Sequence, residues 1–166
     1  MIRRPPRSTH CISSAASDVY KRQLLALLVM YLLPIGVVPG FFIGGTEQQV
    51  PAKWEDTSGI DEVRLRAGDL IPRVVIIWIV QVNGELYVSG GKDSGWVSRL
   101  LKNADAQLRI GDSTYAVTAE RQTQNLDELM SAWYDKYQPN YPEIVGQMRA
   151  ASSNPRPYEV FRLARP

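Results

Sequence analysis

The chain opens on a polar stretch without periodicity, MIRRPPRSTHCISSAASDVYKRQ, which gives way abruptly to twenty uncharged residues from Leu24 to Ile43, LLALLVMYLLPIGVVPGFFI. At about 1.5 Å per residue, a helix of that length reaches roughly 30 Å, the hydrocarbon thickness of a bilayer, so the run predicts a membrane-spanning helix over residues 24–45. Pro34 and Pro39 would kink such a helix or end the core of a signal peptide. Gly44-Gly45-Thr46-Glu47 lacks a small-x-small cleavage site, which favours an uncleaved anchor. With a short N-terminus inside, the C-terminal domain would lie outside the cytoplasm.

Beyond the anchor the rhythm changes. Residues 46–61 carry turn signals at Pro51 and Ser58-Gly59 and read as a linker to a domain over residues 62–166. Glu62 to Arg66 alternates charge with Val63 and Leu65, as a half-buried strand does. Residues 74–82 (VVIIWIVQV) are β-branched and apolar on both faces up to Gln81, as in a strand covered on both sides. Asn83-Gly84 then predicts a hairpin with residues 85–89. Residues 96–102 form a short helix, and residues 106–110 and 114–120 a strand pair about Gly111-Asp112. Asn125 caps a helix in which Leu126, Leu129, Met130, Trp133, Tyr134 and Tyr137 share a face. Pro142 opens another helix, and residues 158–163 close the chain as a strand. About six hairpin-linked strands with two or three short helices predict an α+β fold with an antiparallel barrel or sheet.

Charge and reactive side chains sharpen this picture. The formal net charge is +2, but Arg3, Arg4, Arg7, Lys21 and Arg22 all precede residue 24, and the rest holds 14 basic and 16 acidic residues. No nucleic-acid partner is therefore expected. The single His and single Cys, His10 and Cys11, also fall in the head. Residues 24–166 can build no Ser-His-Asp or Cys-His arrangement and no Cys/His metal site. Paired carboxylates remain available, as does chemistry carried by a bound cofactor; Asp127, Glu128, Asp135 and Glu143 read as solvated helix faces. The head itself, residues 1–23, resembles a translated sequencing adapter and reads as non-native, or else as disordered.

The best candidate for binding chemistry is Gly90-Gly91-Lys92-Asp93-Ser94-Gly95 between a strand and a helix. Consecutive glycines allow several N–H groups to face one concavity, Ser94 adds a hydroxyl, and Lys92 and Arg99 add charge, so the loop could cradle a phosphate. It could equally be a turn capped by Asp93 or Ser94. Trp96 could stack on a ring or fill the core, and Tyr134 and Tyr137 could line a substrate pocket or pack inside. Arg73 is open between a phosphate ligand and an ion-pair partner. No residue stands out as catalytic, and no metal set is present.

The run Trp78-Ile79-Val80-Gln81-Val82-Asn83-Gly84-Glu85-Leu86-Tyr87-Val88-Ser89-Gly90-Gly91-Lys92-Asp93-Ser94-Gly95-Trp96-Val97-Ser98-Arg99-Leu100-Leu101, followed by a strand, Gly111 and another strand, resembles the split β-barrel flavin- and deazaflavin-binding proteins. Within that pyridoxamine-phosphate-oxidase-like group it is most similar to relatives of the deazaflavin-dependent nitroreductases. The resemblance implies a split barrel over about residues 54–165 and FMN or F420 as cofactor. It implies cofactor binding by Arg73, Ser89, Gly90, Gly91, Lys92, Ser94, Trp96 and Arg99; Tyr134 and Tyr137 stay the candidate substrate residues from the residue reading alone, with packing as their better alternative. The glycine- and arginine-rich approach of the better-known deazaflavin binders is reduced here to Arg64, Arg66, Gly68 and Arg73, a departure from the group's pattern. The expectation is a membrane-anchored oxidoreductase from a bacterial source, pairing as a homodimer and reducing a small quinone-like or nitro-like acceptor. A non-catalytic barrel that binds a small ligand or lipid-borne group, or a structural tethered domain, is the alternative.

Overall fold

The computed structural model describes residues 13–32, 40–68, 72–151 and 156–166. Helix α1 (Ser13–Leu32) is followed by β1 (Thr46–Gln48), β2 (Glu62–Ala67), β3 (Arg73–Val82), β4 (Glu85–Gly91), α2 (Gly95–Leu100), β5 (Asp105–Ile110), β6 (Ser113–Gln122), α3 (Leu126–Tyr137), α4 (Pro142–Ala150) and β7 (Tyr158–Ala164). The sheet runs β1-β6-β5-β2-β3-β4-β7, and a further antiparallel pairing of β6 with β7 closes β2 to β7 into a six-stranded barrel. Closure leaves no free edge along most of these strands. The α+β antiparallel barrel read from the sequence is the observed architecture.

Local sequence explains the turns. Asn83 and Gly84 have φ of +53° and +82°, the pair of positive values that a two-residue hairpin of this twist requires. Gly111 (φ +57°) serves the β5–β6 connection. Asn125 departs from expectation. It has φ +53° and makes no side-chain cap; only its carbonyl joins α3, accepting the Leu129 N–H at 3.1 Å.

Strand alternation builds two cores. Val63, Leu65, Ile79, Leu86, Val88, Leu108, Val117, Phe161 and Leu163 fill the barrel, while Val80, Leu129, Met130, Trp133, Tyr137, Val145 and Val160 join its outer wall to α3 and α4. β3 serves both, which is why its sequence is apolar at nearly every position.

The β2–β3 ladder ends at Glu62↔Trp78, so beyond it the backbone of Ile79 has no strand beside it on that side. Helix α3 supplies the missing partners. The Tyr137 hydroxyl accepts the Ile79 N–H at 3.1 Å and reaches the carbonyls of Asp61 (2.6 Å) and Ile79 (2.9 Å). Lys136 Nζ donates to the carbonyls of Thr57, Ile60 and Ile79 at 2.9, 2.7 and 2.9 Å. Burial pushes the Tyr137 phenol well above its ordinary value and lowers the Lys136 ammonium. Trp78 stacks flat on Tyr137, with centroids 4.2 Å apart and planes at 7°.

The predicted membrane span is overturned. Among the described residues no helix is long and apolar enough to cross a membrane. The apolar run is divided between two environments: residues 24–32 form the second half of α1, whose first half is the polar sequence from Ser13, whereas Gly40 already pairs with Val74 through hydrogen bonds of 2.8 and 2.9 Å. Ile43 is buried against the barrel. The extracytoplasmic placement that rested on the span falls with it. Residues 1–12, including His10 and Cys11, and Pro34 and Pro39 lie outside the described residues. Residues 46–61, read as a linker, contain β1, paired in parallel with β6, and Trp54, buried at the barrel.

Candidate functional site

The loop after β4 is more tightly closed than its glycines suggest. Gly90 and Gly91 are the last residues of β4, paired with Glu159 and Tyr158 of β7. The Lys92 N–H donates to the Pro157 carbonyl at 2.9 Å and the Ser94 N–H to the Gly91 carbonyl at 2.9 Å. The Ser94 hydroxyl also donates to Gly91, at 2.7 Å, and does not cap α2. Two N–H groups and the hydroxyl proton of the supposed cradle are therefore already engaged within the chain.

Gly90 has a packing role. A Cβ there would overlap the Trp96 indole, which lies over it inside the barrel, 8% exposed and 6.2 Å from the Phe161 ring. Trp96 thus plugs the barrel end. Ser89 is half-buried on β4, opposite Val160.

Further cations stand at the Gly68 end of the β2–β3 ladder. Arg73 is exposed at the start of β3, opposite Ala67. Gly68 follows, at φ +92°, and the aliphatic stem of Arg99 lies against it closely enough that a Cβ would stand 2.9 Å from Arg99 Cδ. The Arg99 guanidinium donates to the Gly95 carbonyl at 2.8 Å. Arg66, on the outer face of β2, donates to Gln107 Oε1 at 2.9 Å. Among the described residues no carboxylate forms a salt bridge with Arg64, Arg66 or Arg73. Arg66 and Gly68 line a cleft of about 250 Å³ that also meets Asp105.

The proposed site residues therefore separate. Arg66 and Arg73 stand at the Gly68 end of the β2–β3 ladder on opposite faces of the sheet, Arg66 outward and Arg73 opposite the inward Ala67, while Arg99 reaches Gly68 from α2, which Ser94 precedes. Lys92 stands at the β4 end of the loop, 4.0 Å from Glu159. Tyr137 is fully buried and its hydroxyl is committed to the backbone, so it lines no pocket. Tyr134, on the same helix, lies under the Arg149 guanidinium at 4.6 Å.

Sequence reading missed Glu159 and Arg121. Glu159 is 7% exposed and accepts two bonds from Arg121, at 2.8 and 2.9 Å, beside Lys92. The signal was strand parity: Glu159 shares the inward register of Phe161 and Leu163, and a charge at such a position needs a partner.

Residues 56–156 match a protein family described as an uncharacterized protein conserved in bacteria, DUF2255. The chain belongs to this family. No curated protein matches it. Among solved structures it resembles a conserved hypothetical protein of Mycobacterium tuberculosis, at 13% identity and TM-score 0.51, covering 71% of this chain and 85% of that one. An Agrobacterium tumefaciens protein of unknown function is similar at 18% identity and TM-score 0.45, covering 62% of this chain; the DUF2255 chain spans about half, 47%, of its length. An F420-H2 dependent reductase is similar at 15% identity and TM-score 0.45, covering 71% and 99% of the two chains. At such identities the likeness concerns the fold alone.

Proposed function

We propose that this DUF2255 domain binds a phosphorylated flavin-type cofactor, FMN or the deazaflavin F420, at the β2–β3 corner, and that it works as an oxidoreductase on a small quinone-like or nitro-like acceptor. The observation that carries the reading is that at the Gly68 end of the β2–β3 ladder neither Arg66 nor Arg73 is bridged to a carboxylate among the described residues. Guanidinium groups present planar forks that match phosphate oxygens, and a phosphate supplies the charge that this corner lacks. Arg99, lying along Gly68, adds a third guanidinium, and Lys92 adds charge at the far end of the loop. These groups fit the phosphate end of such a cofactor. Trp96 supports the site from inside, by filling the space over Gly90.

When bound, the cofactor supplies a two-electron hydride carrier, which suits a domain whose residues 24–166 contain neither His nor Cys. The protein's part is to hold and orient it. Two copies pairing as a homodimer belong to the same proposal. The test is to titrate the full-length chain with FMN and with F420 by absorbance and fluorescence, then to supply the reduced cofactor with menadione or a nitroaromatic. Saturable binding with acceptor reduction supports the proposal. Binding without turnover leaves a non-catalytic binding module, and no binding by a folded sample removes the cofactor altogether.

A further inference from the structure

A second cleft lies on the outer wall of β2, β5 and β6, outside the loop discussed above. It is roofed by residues 40–45, which cross these strands as a strap. The strap is fastened at several points: Gly40 pairs with Val74, Arg109 donates to the Ile43 carbonyl at 3.0 Å, the Thr114 hydroxyl donates to the Gly44 carbonyl at 2.6 Å, and the Thr46 N–H donates to Asp112 at 2.7 Å. Gly44 and Gly45 have φ of +66° and +88°, and a Cβ at Gly45 would overlap the Thr114 hydroxyl. Only glycine passes there without strain, so the path of the strap is encoded and specific. The strap lies outside residues 56–156, the part that defines the family match.

The cleft beneath it has a volume of about 340 Å³, toward the lower end of the roughly 300–1,000 Å³ of small-molecule sites. Its lining combines two chemistries. Phe41 and Phe42 supply aromatic surface, Phe42 with 60% of its area in solvent. Arg66 and Gln107 supply donors: their mutual bond uses one Arg66 N–H and the Gln107 oxygen, and leaves the rest of the guanidinium and the Gln107 amide NH₂ without partners among the described residues. Glu47 is the one acid on the lining and is exposed at its rim.

We propose that this strap cleft binds a planar aromatic carboxylate, with the ring against Phe41 and Phe42 and the carboxylate taken by Arg66 and the Gln107 amide. Aromatic faces recognise the ring, and a guanidinium with an adjacent amide recognises the two carboxylate oxygens. The site shares Arg66 with the preceding proposal, but its ring contacts, Phe41 and Phe42, lie outside that one, and it does not require the cofactor.

The test is calorimetric titration of the full-length, flavin-free chain with three probes: 2-naphthoate, its neutral analogue 2-naphthamide, and cyclohexanecarboxylate, which keeps the charge and loses the ring. Saturable binding of 2-naphthoate, at least tenfold tighter than either analogue, is expected. Arg66→Gln should weaken it tenfold or more and Phe42→Ser severalfold, whereas Glu47→Gln should tighten it. Phe42 and Glu47 are exposed, so those two variants should fold even if Arg66→Gln does not. Lys102→Gln, which removes an exposed cation outside the cleft, should leave binding unchanged. Equal affinity for the acid and the amide, or indifference to both Arg66→Gln and Phe42→Ser, would overturn the proposal. Because no flavin is present, failure here leaves the cofactor reading intact, and failure to bind flavin leaves this one intact.

Discussion

The two ends of the β2–β3 ladder use cations in opposite ways. At the Glu62↔Trp78 end, Lys136 gives its three protons to three backbone carbonyls, and Tyr137 completes the unpaired edge of Ile79. At the Ala67↔Arg73 end, Arg66 and Arg73 stand on the surface with no carboxylate bridged to them among the described residues. A polar group whose capacity is spent within the chain is architecture. One whose capacity remains is available to a ligand. The same rule separates Tyr137, which is spent, from Arg66, which keeps donors facing a cleft.

Substitutions at the closed end should act on stability. Trp133, 1% exposed between α3 and the barrel wall, should cost about 3–5 kcal/mol as Trp133→Ala, measured by denaturant unfolding. Lys136→Met removes a donor from three carbonyls at this end of the ladder, of which Ile60 keeps no other partner among the described residues while Thr57 retains the Ile60 N–H and Ile79 the Tyr137 hydroxyl, and should cost about 1–3 kcal/mol. Tyr137→Phe keeps the stack on Trp78 but leaves the Ile79 N–H unpaired, a loss of the same order, about 1–3 kcal/mol at neutral pH.

Tyr137 also sets a pH dependence. Its phenol is raised above the ordinary 10.0, so above that pH the unfolded chain releases a proton that the folded chain keeps. The stabilisation is therefore complete below pH 10 and declines as pH rises beyond it. The lowered Lys136 runs the other way, contributing more as pH approaches 10.5, which partly masks the effect in the parent protein. Comparing the parent with Tyr137→Phe cancels the lysine. The gap between them should narrow above pH 10, and a constant gap would place Tyr137 outside the titration.

At the open end the balance reverses. Arg73→Ala should change stability by no more than about 0.5 kcal/mol, because the side chain is exposed and unbridged, while weakening cofactor binding tenfold or more. Lys92→Ala should have the smallest effect on binding, severalfold, since Glu159 lies 4.0 Å away and offsets its charge.

Much of the barrel was legible in local pattern. The apolar run of β3, Asn83-Gly84 and the helical spacing from Leu126 to Tyr137 each depend on neighbours in sequence, and each is found where its pattern places it. What was not legible depends on neighbours in space. Hydropathy cannot show that Gly40 pairs with Val74, which takes the end of the supposed span onto the barrel. Nor can helical spacing show that β2 stops at Glu62, which turns Tyr137 and Lys136 into partners for a bare strand edge. The glycine-rich loop attracted the phosphate reading, yet its N–H groups at Lys92 and Ser94 are spent on Pro157 and Gly91. At the β2–β3 corner Arg66 and Arg73 have no bridging acid among the described residues, and the stem of Arg99 reaches the same corner at Gly68, a grouping made by the register of β2 and β3 and by α2.

The most direct test of that corner is a paired fluorescence titration of FMN and F420 into the full-length parent and Arg73→Ala, with the melting temperature of each recorded alongside. The account predicts saturable binding of one cofactor by the parent and affinity at least tenfold weaker in the variant, at a melting temperature within a few degrees of the parent's. Equal affinity in the two proteins, or no saturable binding by a folded parent, would contradict it.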